Sequence, residues 1–170
     1  MKKLLLASVA LMLAVPVVQA QTANPAPTIQ PAPTPAEMKL PRPDRAKGIS
    51  TALAIEAAVE ANRVCLGNTY QTTSMIADSA GVPIVVISND GAKAITQRIA
   101  QSKAMIALAA KGPSNGAKVD AALGVARPGG FPLMAGTTLV GAIAVSGSPS
   151  GQADEVCANA AIAKIQARIK

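Results

Sequence analysis

The side chains that could carry chemistry in this chain are few, and histidine is missing altogether. Its absence removes the usual acid–base group at neutral pH, the Ser–His and Cys–His nucleophiles, and the commonest zinc ligand. The serines of Ser146-Gly147-Ser148 therefore have no base to activate them. Asp78 and Asp90 occupy turns, where aspartate caps backbone amides, with a metal or catalytic role as the alternative. Residue chemistry alone names no activity and excludes most acid–base mechanisms.

Methionine, cysteine and tyrosine are the remaining candidates for ligand chemistry. Met75, Met105 and Met134 fall at otherwise apolar positions, which favours core packing. The alternative is an axial bond to haem iron, which Met, Cys or Tyr can supply where histidine is absent. Metal ligation beyond that is unknown. Aromatic residues are 1% of the chain and its basic residues are scattered, so we expect no nucleic-acid binding.

The first part of the chain has the composition of an export signal followed by a tether. Two lysines precede an apolar run over residues 4–18, and Val18-Gln19-Ala20 is typical of a cleavage site. We expect a signal peptide over 1–20, cleaved after Ala20, and a periplasmic or secreted protein without stable membrane insertion. An N-terminal membrane anchor is the alternative. Residues 21–47 contain seven prolines and predict a disordered tether or, alternatively, a proline-recognition ligand.

The remaining residues, 48–170, predict one α/β (α+β) domain in the order α-β-β-α-β-β-α around a mainly antiparallel sheet. The predicted helices cover 51–65, 92–110 and a segment from 151, and the strands cover 70–77, 82–88, 131–134 and 138–146. In the second helix the inner face is assigned to Ile95, Ile99, Ile106 and Ala109, with Lys103 on another side.

The last predicted strand is apolar on both faces. Leu139, Gly141, Ile143 and Val145 alternate with Thr138, Val140, Ala142 and Ala144. We therefore expect both faces to be covered, by helices or by another subunit.

The two cysteines lie at the end of the first predicted helix and near the start of the last one. If these helices pack antiparallel on one face of the sheet, Cys65 and Cys157 meet. In an exported protein this predicts a disulfide, with two buried thiols as the alternative.

Ordered motifs in the second half of the domain resemble one known family. They are a Pro-Gly-Gly segment, a glycine turn, an apolar strand ending in Ser-Gly, and an acidic pair: Arg127-Pro128-Gly129-Gly130-Phe131-Pro132-Leu133, Gly136, Val140-Gly141-Ala142-Ile143-Ala144-Val145-Ser146-Gly147 and Asp154-Glu155. Weaker matches occur at 52–61, 78–81, 90–92 and 103–107. Together they are similar to the GlcG/HbpS family of haem-binding and haem-degradation-associated proteins, whose domain also ends PduO-type proteins.

The resemblance implies a profilin-like α/β/α sandwich with a five-stranded sheet, assembled into homo-oligomers, and haem or a related tetrapyrrole as ligand. On this basis Lys103 and Arg127 would pair with the propionates, and Met105, Met134 or Tyr70 would approach the iron. The motif scaffold comprises Asp78, Gly81, Gly129, Gly130, Gly141 and Gly147. Relatives often carry Lys-Ala-Arg-Thr-Ala where this chain has Lys103-Ala104-Met105-Ile106-Ala107.

These expectations give one leading function and two alternatives. The leading hypothesis is an exported, non-catalytic haem-binding protein that buffers or senses haem. The first alternative is a structural or interaction module that keeps the fold but has lost the pocket. The second is a haem-degradation enzyme that uses the chemistry of the bound iron.

Overall fold

The computed structural model describes residues 46–118 and 120–170. The predicted signal peptide and nearly all of the predicted tether lie outside this part. Three helices and four strands follow one another in the predicted order: α1 (Thr51–Gly67), β1 (Thr73–Asp78), β2 (Pro83–Ser88), α2 (Ile95–Ala110), β3 (Gly130–Ala135), β4 (Thr138–Ser146) and α3 (Gly151–Ile165). Short 3-10 turns cover Ala121–Leu123 and Gln166–Arg168. No helix in the described ranges is both long and apolar enough to cross a bilayer.

The sheet is fully antiparallel, with the strand order β2-β1-β4-β3. The expectation of five strands is wrong, since the sheet formed by the described residues has four. Each hairpin supplies two strands, and the predicted extension of β1 back to Tyr70 does not form. Instead Thr69 takes a positive φ of 66°, and the Tyr70 amide donates to the Cys65 carbonyl oxygen to close the end of α1.

Helices cover both faces of the sheet, as the apolar faces of β4 predict. Ile143 and Val145 belong to the core beneath α1 and α3, whereas Ala142 and Ala144 pack against α2. On the α2 side, alanines meet alanines, and such small side chains allow the helix to approach the sheet closely.

The predicted alternation along β4 is wrong at its start. Leu133 pairs with Gly141 but Met134 pairs with Leu139, so Val140 is an extra residue in the ladder. This irregularity moves Val140 into the α1–α3 core and Leu139 to the α2 side.

Helices α1 and α3 run antiparallel and are joined at both ends. Cys65 and Cys157 form the predicted disulfide, with their Cα atoms 5.5 Å apart. Toward the other end Lys164 Nζ lies 2.9 Å from Glu60 Oε2, and Arg168 Nη2 lies 2.7 Å from Glu56 Oε1. The two helices therefore form one unit on their face of the sheet.

We expect the disulfide to make a large contribution to stability because it closes a long loop, the two cysteines being 92 positions apart in the sequence. In the chain-entropy model a loop of this length stabilises the folded state by about 4 kcal/mol. The Cys65→Ala/Cys157→Ala double variant should lose a comparable free energy of unfolding in urea denaturation. A loss below about 1 kcal/mol would contradict the entropic account.

Glu60 should make the stability pH-dependent in the acidic range. Its hydrogen bonds to Arg63 and then Lys164 lower the pKa of its carboxyl from 4.5 to about 2. A lowered folded-state pKa means that the stabilisation is complete above pH 4.5 and is lost as the pH falls toward 2. The gap in unfolding free energy between the wild type and Glu60→Gln should therefore shrink between pH 6 and pH 2, and a gap independent of pH would contradict the assignment.

Candidate functional site

A cleft of about 590 Å³ opens at one end of the two central strands of the sheet, where β1 begins and β4 ends. Its walls come from five parts of the chain: the residues after α1, the connection between β2 and α2, α2 itself, the segment before β3, and the loop that leads from β4 into the first turn of α3. The side chains used in the argument below are Tyr70, Lys93, Ile99, Lys103, Arg127, Ser148 and Asp154.

A buried ion pair forms the floor of this cleft. The side chains of Lys103 and Asp154 are only 3% and 4% exposed, and Lys103 Nζ lies 2.7 Å from Asp154 Oδ2. The same ammonium donates to the Val145 carbonyl oxygen at 2.8 Å. Burial lowers the pKa of Lys103, because removing the ammonium from water disfavours its charge, while Asp154 opposes the shift.

The second carboxylate oxygen of Asp154 fixes the loop between β4 and α3, which forms the rim of the cleft. Asp154 Oδ1 accepts a hydrogen bond from the Ser148 amide at 3.0 Å, and Ser150 caps α3 by accepting from the Ala153 amide. The Asp154 carboxylate therefore joins α2 and the loop to the first turn of α3, and the Lys103 ammonium adds the end of β4. Because the first turn of a helix favours negative charge, Asp154 is also well placed electrostatically.

The Pro-Gly-Gly motif is the piece of backbone that covers this pair. Gly129 has a φ of +112°, and a Cβ there would lie 2.9 Å from Lys103 Nζ and 2.7 Å from Asp154 Cβ. A Cβ on Gly130 would lie 2.6 Å from the Lys103 carbonyl oxygen. Only glycine fits this conformation and this close approach. The two glycines therefore allow the backbone to pack directly against Lys103 and Asp154.

The other scaffold positions also support local backbone geometry. Asp78 Oδ1 accepts from the amides of Ala80 and Val82, at 3.0 and 2.9 Å, and so closes the β1–β2 hairpin. Gly81 lies against the Met105 thioether. Gly141 and Gly147 lie against the backbone of Ala77 and of Gln71, where a side chain would clash.

Ser114 holds the backbone that carries Arg127. Its hydroxyl donates to the Arg127 carbonyl oxygen and accepts from the Gly130 amide, and its own amide donates to the Gly130 carbonyl oxygen. The Ser114 side chain is buried. Arg127 thus lines the cleft from a fixed segment of backbone.

The structure brings together three of the five predicted haem residues. Tyr70, Lys103 and Arg127 line the cleft. Met105 lines a separate groove, and Met134 lies near the far end of β3, where its carbonyl accepts from Gln166 Nε2. The Lys103 ammonium is paired with Asp154, and Lys93 and Arg127 are the other cationic residues among those of the described chain that line the cleft.

Sequence reasoning assigned no site role to Lys93, Ser114 or Ser148, and it identified Asp154 only as part of a family motif, without its partner Lys103. It also placed Lys103 away from the inner face of α2, and this is wrong because Lys103 is buried. The available signal was the joint presence of Lys103 and Asp154 in the motifs that matched the family.

Comparison with known proteins agrees with this geometry. Residues 49–163 match the family model described as haem-degrading protein HbpS-like. The chain belongs to the HbpS-like family. No curated protein sequence matches it.

Solved structures share the HbpS-like fold. The crystal structure of HbpS is 24% identical, covers 72% of this chain and 93% of its own, and superposes with a TM-score of 0.64. A double mutant of Streptomyces reticuli HbpS is also 24% identical, with 79% and 99% covered and a TM-score of 0.65. The PduOC:heme complex is 22% identical, with 68% and 94% covered and a TM-score of 0.62.

We expect removal of one partner of the buried ion pair to lower the free energy of unfolding much more than replacement of both partners by apolar residues. Asp154→Ala leaves a buried ammonium without its partner and should reduce the free energy of unfolding by about 3–5 kcal/mol. The Lys103→Met/Asp154→Leu double variant should recover much of this loss. Urea denaturation of the single and double variants measures both, and a cost below about 1 kcal/mol for Asp154→Ala would contradict the assignment.

Proposed function

We propose that this protein binds haem in the cleft, as an exported protein that buffers or senses haem without degrading it. Membership of the HbpS-like family and the haem complex of the PduOC relative both support haem as the ligand. The observation that carries the proposal is the meeting of Tyr70 with Arg127 and Lys93 around one cleft.

The residues present fit an iron porphyrin. A volume of about 590 Å³ lies within the usual range for small-molecule sites. Tyr70 has a phenol oxygen, which can bind haem iron, and it is the predicted iron ligand that lines the cleft. Arg127 and Lys93 provide cations for the two propionates, and Arg127 can bind a carboxylate in bidentate fashion. Ile99 adds an apolar surface for the ring.

The side chains of the cleft favour binding over turnover. Among the described residues that line it, Asp154 is the one carboxylate, and it is occupied by Lys103 and the Ser148 amide. Bound haem would supply a redox-active iron, whereas the chain itself would hold the ring and neutralise its propionates.

Two further parts of the proposal concern location and assembly. A disulfide between buried cysteines is typical of proteins in oxidising compartments, and this supports export. Ile55, Val59 and Leu66 recur along one side of α1 and are exposed, which supports assembly into homo-oligomers.

The same exposed stripe favours a second candidate function, an interaction module that keeps the fold and binds a protein partner instead of haem. A haem-degradation enzyme is the third candidate. Loss of the haem absorbance with reductant and oxygen, at a rate above that of free hemin, would support the enzyme.

A hemin titration of the purified protein tests the leading proposal. We expect a Soret band distinct from that of free hemin, and Tyr70→Phe should weaken binding by on the order of tenfold because it removes only the phenol oxygen. Met134→Leu is the matched control and should bind as the wild type does. A wild-type spectrum identical to free hemin would refute haem binding, and equal binding by Tyr70→Phe would refute the role of Tyr70.

A further inference from the structure

A second depression runs along α2 on the side away from the ion pair. We call it the α2 groove: its walls are α2 between Ile95 and Met105 and the segment 122–125. It has two sections, of about 500 and 230 Å³, which share Arg98, Ser102, Ala122 and Leu123. Ten residue steps along a helix give the groove a length of about 15 Å.

The wall opposite α2 is held in place by hydrogen bonds of its own. Ser102 Oγ donates to the Leu123 carbonyl oxygen, and Asp120 Oδ1 accepts from the Ala122 amide at 2.8 Å. Gly124, with a φ of +103°, packs closely against the Ser102 hydroxyl. The groove is therefore formed by the chain itself.

The lining combines exposed apolar side chains with cations. Val125 and Ile95 are 68% and 51% exposed, an unusual state for large apolar side chains that flank the same depression. Arg98 and Arg127 line the same section, and neither pairs with a carboxylate of a described residue. No acidic residue of the described chain lines either section, and the nearby Asp120 carboxylate caps Ala122.

We propose that the α2 groove binds an amphipathic monocarboxylate, a linear acyl chain that ends in a carboxylate. A groove about 15 Å long with exposed apolar side chains along it suits a linear tail. The Arg98 guanidinium, which lines both sections of the groove and not the cleft, provides the charge complementarity, because the planar fork of arginine matches a carboxylate. This site adds a ligand beyond haem, and it shares only Ile99 and Arg127 with the cleft.

Isothermal titration calorimetry with dodecanoate, below its critical micelle concentration, tests the proposal on the purified protein. We expect one site for dodecanoate and none for two control ligands. Acetate has the carboxylate without the long chain, and dodecyltrimethylammonium has the long chain with a cation in place of the carboxylate. Arg98→Gln should weaken dodecanoate binding roughly tenfold, since it removes a charge-assisted contact. Val125→Ser should weaken it through loss of apolar surface, and the exposed Lys111→Gln, outside the groove, should leave it unchanged.

Equal binding of dodecyltrimethylammonium and dodecanoate would overturn the proposal, as would equal losses of dodecanoate affinity in Arg98→Gln and Lys111→Gln. A change of subunit number in Val125→Ser would also overturn it, because it would mean that a second copy of the chain covers the groove. Hemin titration of Arg98→Gln separates this site from the haem site. Normal hemin binding with weakened dodecanoate binding supports two sites, whereas the loss of both ligands together would mean that the groove is part of the haem site.

Discussion

The buried ion pair between Lys103 and Asp154 is the interaction on which the candidate site depends. Two charges that are almost entirely removed from water are tolerated only when their hydrogen bonds are satisfied. Here the carboxylate accepts from the Lys103 ammonium and the Ser148 amide, and the ammonium also donates to the Val145 carbonyl oxygen. The pair joins helices on opposite faces of the sheet through the end of β4. It thereby fixes the rim of the cleft and explains why glycine must follow Pro128.

The disulfide and the ion pair act on neighbouring parts of α3. Cys157 lies about one turn after Asp154, and Cys65 Sγ lies 3.5 Å from Ser148 Oγ. The first turns of α3 are thus held to α1 by a covalent bond and to α2 by charge. A cleft built on these turns needs little reorganisation when a ligand enters, which lowers the cost of binding.

Much of the fold could be predicted from the sequence, because periodicity and caps act locally. The element order and the covering of both sheet faces follow from such signals, and the Cys65–Cys157 pairing follows from the helix ends on which the two cysteines lie. The orientation of α2 could not be predicted in this way. Of the isoleucines assigned to its inner face, Ile106 is buried but Ile95 is exposed, and the buried face also contains Thr96, Lys103, Leu108 and three alanines. Close packing on Ala142 and Ala144 selects alanine, and the Asp154 carboxylate compensates the lysine.

The candidate site was predictable only in part. Tyr70 and Arg127 were identified through the family resemblance. Their common location, however, depends on contacts between distant segments, such as the hydrogen bonds of the Ser114 hydroxyl to the backbone of Arg127 and Gly130. The irregularity at Val140 likewise arises from strand pairing, which no local pattern encodes. Resonance Raman spectroscopy of the ferric haem complex tests the central claim directly, because Tyr70 is the one tyrosine of the chain. The account predicts tyrosinate–iron modes in the wild type that vanish in Tyr70→Phe, and a haem spectrum without them in the wild type would contradict it.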